Sequence, residues 1–280
     1  MAIIAETEPI YSINGHLVRK SQATIPVTDI AVLRGLAVFD FWITYPHHRS
    51  LNLDHQLDRL RTSSTLVGLT FPWTNALLSN EVQQVLEANN TPIEKAIRYV
   101  ITGGSGPDSI TPAKVPNRIL YIEPHQPYSA ELYENGAAII THKFTRYIPG
   151  AKSTNYIEAV KQTQIARSQG AIEVVYYSDG QLYEGATSNV FIVKNGRILT
   201  PDSDILPGIT RKFLLENLDL PITESSVTVS DLRSADEVFL AASNKQIMPI
   251  TKIDGQPVGD GNVGSITKNV MRQFDQFTQK

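Results

Sequence analysis

The 280-residue chain sets 25 lysines and arginines against 28 aspartates and glutamates, a formal charge of −3, with no basic run and no interleaving of basic and aromatic residues, which excludes a nucleic-acid partner. It has no cysteine, which rules out disulfides, zinc fingers and a thiol nucleophile and fits a reducing compartment, so a cytoplasmic location is expected. Neither Met1-Ala-Ile-Ile-Ala-Glu-Thr-Glu8 nor any later stretch has the apolar length of a leader or membrane span, and the scattered histidines lack zinc-site spacing, so neither membrane nor metal is expected.

In chain order, Asn14-Gly15 is the first of four dipeptides suited to the positive φ of a tight hairpin; Asp179-Gly180, Asn195-Gly196 and Asp254-Gly255 follow, so much of the sheet structure is expected to be antiparallel. Helical spacing is present in Leu53, Leu57 and Leu60, in Leu78, Val82, Val85 and Leu86, in Ile157, Val160 and Ile165, and in Ile266, Val270, Phe274 and Phe277, predicting helices that cover sheet faces. Strands are predicted at 96–102, 118–122, 137–142, 173–177, 190–193 and 237–242. The glycine cluster at 103–108 has neither P-loop nor dinucleotide spacing and reads as a flexible loop. Glu123-Pro-His-Gln-Pro-Tyr128 bars helix and central strand, which places a linker at 124–134 between a smaller N-terminal α/β domain (1–123) and a larger C-terminal domain (135–280). The mixture, without strict βαβ alternation, is α+β with mixed or antiparallel sheets and covering helices.

Two motifs carry chemistry. Lys152 stands in Pro149-Gly-Ala-Lys-Ser-Thr-Asn-Tyr156 and Glu184 in Tyr183-Glu-Gly-Ala-Thr-Ser-Asn189. A lysine can hold an aldehyde cofactor as a Schiff base, and a carboxylate on the far side of a pyridine ring keeps its nitrogen protonated; together they suggest pyridoxal phosphate. In Leu206-Pro-Gly-Ile-Thr-Arg211, Gly208 opens a predicted helix at 209–218 whose free N–H groups, with the Thr210 hydroxyl, suit an anion.

These motifs, with Thr28-Asp-Ile-Ala-Val-Leu-Arg-Gly35, His55-Gln-Leu-Asp-Arg-Leu60 and Ala235-Asp-Glu-Val-Phe-Leu-Ala-Ala-Ser243, make nearly the whole chain resemble the fold-type IV pyridoxal phosphate transaminases. The resemblance implies a two-domain fold with the active site at the domain interface, and a homodimer whose sites are shared between subunits, the region matching 28–44 reaching across. It implies that Lys152 forms the Schiff base and acts as base, that Glu184 contacts the pyridine nitrogen, and that Tyr156 bonds the phenolic oxygen. Arg59, rather than Arg61, would grip the phosphate with Ile209, Thr210 and Ser243, while Leu206 packs on the ring.

Substrates would be an amino acid and a 2-oxo acid. Two arginines, Arg34 and Arg98, compete for the α-carboxylate: Arg34 could instead pair with Asp29, and Arg98 could be an outward-facing strand charge. Leu-Arg-Gly and Thr-Gly-Gly elements resemble less typical D-amino acid transaminases, whereas an arginine at the Arg98 position is a branched-chain feature. Around Phe39, this chain has Phe39-x-Phe41-x-Ile43, where Ile43 replaces a basic residue, and Thr187 replaces a second arginine found in some D-specific members. The expectation is a D-amino acid transaminase using D-alanine or D-glutamate with 2-oxoglutarate; a branched-chain L-amino acid aminotransferase is the alternative, and an aminodeoxychorismate lyase a more distant one.

Overall fold

All four asparagine- or aspartate-glycine dipeptides form hairpin turns in a computed structural model that describes residues 8–279. Both residues of each pair take positive φ, from Asn14 at 54° and Gly15 at 86° to Asp254 at 49° and Gly255 at 79°, the twist that joins two antiparallel strands through two residues. The N-terminal segment read for a leader falls largely on residues 1–7, outside the described range.

The chain divides into two units. The first runs to Gln126 and includes Ala151–Asn155; the second holds Pro127–Gly150 and continues from Tyr156. The lysine segment is therefore grouped with the first unit, although in sequence it lies beyond the 124–134 stretch read as a linker.

In the first unit the elements are β1 (Ile10–Ile13), β2 (His16–Arg19), α1 (Ile30–Arg34), β3 (Ala37–Tyr45), β4 (Arg49–Ser50), α2 (Leu53–Leu66), α3 (Asn75–Ala88), β5 (Lys95–Thr102) and β6 (Asn117–Pro124). The strands form one antiparallel sheet in the order β2-β1-β6-β5-β3-β4. Strand alternation sends Val38 and Trp42 into a core with Leu57, Leu60, Leu78 and Val82 of α2 and α3, leaving Phe39, Phe41 and Ile43 on the opposite face. Trp73 closes the same core.

The second unit comprises α4 (Ala130–Asn135), β7 (Ala137–Lys143), α5 (Ile157–Ser168), β8 (Glu173–Ser178), β9 (Gln181–Gly185), β10 (Asn189–Lys194), β11 (Arg197–Pro201), α6 (Ile209–Asn217), β12 (Ile222–Ser225), α7 (Val229–Arg233), β13 (Glu237–Ala242), β14 (Gln246–Ile253), β15 (Gln256–Pro257) and α8 (Ser265–Thr278). Its sheet is mixed: β7 runs parallel to β8 and β14, and β11 parallel to β12. Parallel neighbours need long crossovers. The β7–β8 crossover contains Lys152 and α5, and the β11–β12 crossover contains Leu206 to Thr210, whereas Glu184 lies in strand β9.

Helix α5 departs from the sequence expectation. Ile157 and Val160 are 80% and 56% exposed, and Ile165 is exposed as well, while Gln162 and Ala166 are buried. Ala166 packs with Ile140, Ala171, Val174 and Tyr176; its small side chain lets the helix lie close to the sheet and turns the larger apolar residues outward. Spacing identified the helix but not the face that its own unit covers.

Candidate active site

In the first unit, Lys152 lies along the free edge of β3. Ser153 bridges Val38, the Lys152 carbonyl accepts the Phe39 N–H (2.9 Å), and Thr154 N–H donates to the Ala37 carbonyl (3.0 Å). The Lys152 N–H donates to Ser63 Oγ on α2 (3.0 Å). Its side chain passes over the sheet face away from α2, with Nζ 4.8 Å from the Phe39 ring centroid, where the ring's negative face attracts an ammonium. Phe41, two residues along β3, shares that face, and Arg98 of the paired strand β5 stacks over it at 4.9 Å. Lys152, Phe39, Phe41 and Arg98 thus form one row.

Arg98 also lies 5.8 Å from the Tyr121 ring and 3.9 Å from Glu123; it is stacked against aromatics rather than simply solvated. Arg34 ends α1, is exposed, and donates to the Leu33 carbonyl (2.9 Å). Asp29 does not pair with it: this fully buried carboxylate caps α1 through Ala31 N–H and accepts from Asn117 Nδ2 (2.9 Å) and Thr102 Oγ1. With Ile30 N–H bonded to the Gly104 carbonyl (3.0 Å), these contacts dock α1 on the glycine loop. Ile43, apolar and buried, continues the Phe39 face.

Arg59 rises from α2 to the opposite face of β3. Its Nε and one terminal nitrogen donate to the two oxygens of Asp40 (2.9 and 2.8 Å), and both side chains are buried. That edge of the guanidinium is spoken for.

The second unit holds the other candidates. Glu184 is the penultimate residue of β9 and is 4% exposed. Arg146 donates 2.9 Å bonds to Glu184 Oε1 and to the Pro149 carbonyl, while Leu206 N–H donates to Oε2 (3.0 Å), so both carboxylate oxygens are fixed. Asn189, paired in register with Glu184, donates its side-chain amide to the Leu206 carbonyl (2.9 Å). A Cβ at Gly208 would come 1.9 Å from Asn189 Oδ1, so only glycine lets α6 start there. Ile209 and Thr210 are buried in the first turn of α6, whose N-terminus has no side-chain cap; buried N–H groups without a cap suit an anion. Half-buried Tyr156 is the N-cap of α5, and half-buried Ser243 opens the turn after β13.

Thr187 belongs to a hydrogen-bond network of the second unit. Its hydroxyl accepts from Lys245 Nζ (2.6 Å), a donor only, and so directs its own proton to Glu173 (2.9 Å). Lys245 and Glu173 are a buried ion pair, 3.1 Å apart, and Glu173 also holds Thr187 N–H and Ser188 Oγ. The Thr187 hydroxyl therefore has no proton to offer a substrate carboxylate while this network stands.

The model of the amino-transferase class IV family matches residues 37–253. The chain belongs to the class IV aminotransferases. This aminotransferase is 31% identical over 277 residues to a D-alanine aminotransferase of Staphylococcus epidermidis, across 95% of this chain and 97% of the relative. It superposes on a branched-chain amino acid aminotransferase of Escherichia coli with a TM-score of 0.89 at 28% identity, covering 97% of this chain and 95% of that one. A T.th. branched-chain amino acid aminotransferase solved with pyridoxamine 5′-phosphate shares the fold, with a TM-score of 0.90 at 22% identity over 98% of this chain and 96% of that one.

A class IV aminotransferase uses pyridoxal phosphate, and each unit by itself offers groups of the kind that cofactor takes: a buried arginine and a half-buried lysine in the first, and an uncapped, buried helix start and a buried carboxylate held at both oxygens in the second. Sequence reading missed the groups that hold these in place. Asp40 had a signal, a charge inside an otherwise apolar strand, which demands a buried partner. Arg146 and Lys245 had none, because their partners are 38 and 72 residues away.

Proposed function

We propose that this aminotransferase moves the amino group of D-amino acids, such as D-alanine or D-glutamate, to 2-oxo acids such as 2-oxoglutarate. The observation that carries this reading is the docking of α1, with Arg34 at its end, on the Thr102-Gly103-Gly104 segment, through Asp29 to Thr102 and the Ile30 N–H to Gly104: the two elements that resemble D-amino acid transaminases form one structural piece. The D-alanine aminotransferase relative supports it. A branched-chain L-specificity is the second reading, favoured by the placement of Arg98 in the row with Phe41, Phe39 and Lys152.

Bound pyridoxal phosphate supplies an electron sink for the pair released when the substrate Cα–H breaks. Arg59 and the first turn of α6, with the Thr210 and Ser243 hydroxyls, would hold its phosphate. Glu184 would keep a proton on the ring nitrogen, Leu206 would pack on the ring, and Tyr156 would bond its phenolic oxygen. Lys152 Nζ would anchor the cofactor's aldehyde and, once free, would take the proton from the substrate Cα. Arg34 or Arg98 orients the substrate carboxylate, and Phe39 and Ile43 supply apolar walls.

The test is a single-turnover comparison of D-alanine, D-glutamate and L-leucine by the cofactor's absorbance. A response to L-leucine alone would sink the D-specific reading. Arg34→Ala should raise KM if Arg34 binds the carboxylate, and Arg98→Ala if Arg98 does; unchanged KM in both rejects the pair.

A homodimer is part of the proposal. Val27, Val32, Leu33 and Ile110 are exposed on the first unit, and Tyr147, Ile157 and Val160 on the second; a second copy would cover such apolar surface. Active protein sedimenting strictly as a monomer contradicts it. Among the described residues no helix is long and apolar enough to cross a membrane, and a cytoplasmic location rests on the cysteine-free composition.

A further inference from the structure

The geometry points to Ser63 as a positioning residue for Lys152, an inference that rests on Lys152 being the amine that moves the proton. Ser63 is fully buried on α2, four residues after Arg59 and so on the same stripe of the helix. Its Oγ accepts the Lys152 N–H at 3.0 Å.

The lysine's backbone is thereby held on two sides by different means. On the carbonyl side, the Phe39 N–H and the flanking Thr154-to-Ala37 bond belong to the edge of β3 and survive any side-chain change. On the amide side, the N–H donates to a side-chain hydroxyl, which a substitution can delete. Removing it leaves a backbone donor facing a buried helix stripe, and such a donor turns away or admits water. The peptide would then pivot about its remaining β3 bonds, and Nζ, carried on the same residue, would leave its place over the Phe39 ring. A shift on the order of 1 Å at a reacting group is enough to slow catalysis about 100-fold.

A neighbouring residue supplies the control. Ser64 is equally buried on the same helix, but its hydroxyl donates to the Leu60 carbonyl of its own helix (2.9 Å). Ser63→Ala and Ser64→Ala delete the same atom from adjacent positions. The expected result is a fall in kcat of about 10- to 100-fold for Ser63→Ala with KM changed less than about threefold, near-normal kcat for Ser64→Ala, and recovery in Ser63→Thr relative to Ser63→Ala.

Hydrogen exchange of the Lys152 amide, measured with and without cofactor, gives a readout independent of turnover. It should be protected in the wild type, quicken at least about tenfold in Ser63→Ala, and stay slow in Ser64→Ala. Equal kcat losses in both variants, or unchanged exchange in Ser63→Ala, overturns the inference. If Ser63→Ala does not fold, the wild-type measurement decides: exchange at the rate of an unstructured peptide overturns the inference, and protection supports it. Lys152→Ala separates the two levels. Retained turnover there removes the lysine reading itself, whereas a dead Lys152→Ala beside a normal Ser63→Ala removes only the role of Ser63.

Discussion

Each unit holds an arginine–carboxylate pair with one member proposed to meet the cofactor, and the two are used in opposite senses. In Arg59–Asp40 the arginine is the residue proposed to meet the cofactor, at its phosphate, and the carboxylate behind it fixes the guanidinium by two bonds. In Arg146–Glu184 the carboxylate is the proposed cofactor residue, at the ring nitrogen, and the arginine is the holder. The same pair chemistry therefore serves an anion in one unit and a cation in the other. What changes is which member is presented and which is kept behind. The holders differ too: the Asp40 side chain is wholly buried, whereas Arg146 is 17% exposed, so removing the first leaves a more deeply stranded charge.

The largest expected effect lies beneath this comparison. Lys152→Ala should lower turnover by roughly 10⁴-fold or more, in a steady-state assay with any accepted substrate; residual activity near wild type would dissolve the site. The pairs themselves come next. Glu184→Gln should reduce kcat by about 100-fold or more with little change in cofactor affinity, whereas Arg59→Gln should weaken cofactor binding about 10- to 100-fold, read by titrating cofactor-free protein. If both substitutions move the same parameter, the opposition between the pairs is false.

The holders should separate by stability. Asp40→Asn should cost about 3 kcal/mol or more in urea unfolding, and Arg146→Gln less, because water reaches Arg146. A larger loss for Arg146 reverses the ranking. The smallest effect calibrates the others at a surface pair. Asp231, capping α7 with Thr228, is pulled from the usual 3.8 down to about 2 by hydrogen bonds from Lys194 and then Thr228. A lowered folded-state value means that this contribution is fully present above about pH 4 and is lost as the pH falls through 2. Asp231→Asn should flatten that part of the acid dependence of Tm slightly, since the side chain is about one-third exposed.

The sequence was most legible where structure is local. The four hairpins follow from two-residue φ requirements, and the start of α6 at Gly208 follows from a single glycine. The parallel pairings of β7 with β8 and β14 were not visible, because turn dipeptides report only neighbouring strands. The outward face of α5 was misread for a related reason: period gives a stripe, and Ala166 rather than the larger residues decides which stripe meets the sheet. Within the site, residues that act on the cofactor carry motifs, while those that hold them do not. Ser63 came nearest to legibility, by its spacing of four from Arg59; Arg146 lies between Thr145 and Tyr147 with nothing to distinguish it from a surface charge.

The two tryptophans, Trp42 and Trp73, both lie in the buried core of the first unit. Indole emission is consequently a one-sided signal: it follows the surroundings of β3, α2 and α3, while the second unit contributes tyrosine alone. Far-ultraviolet circular dichroism sees both units. A denaturation followed by the two methods together would tell a single cooperative transition from two separate ones, with no label introduced.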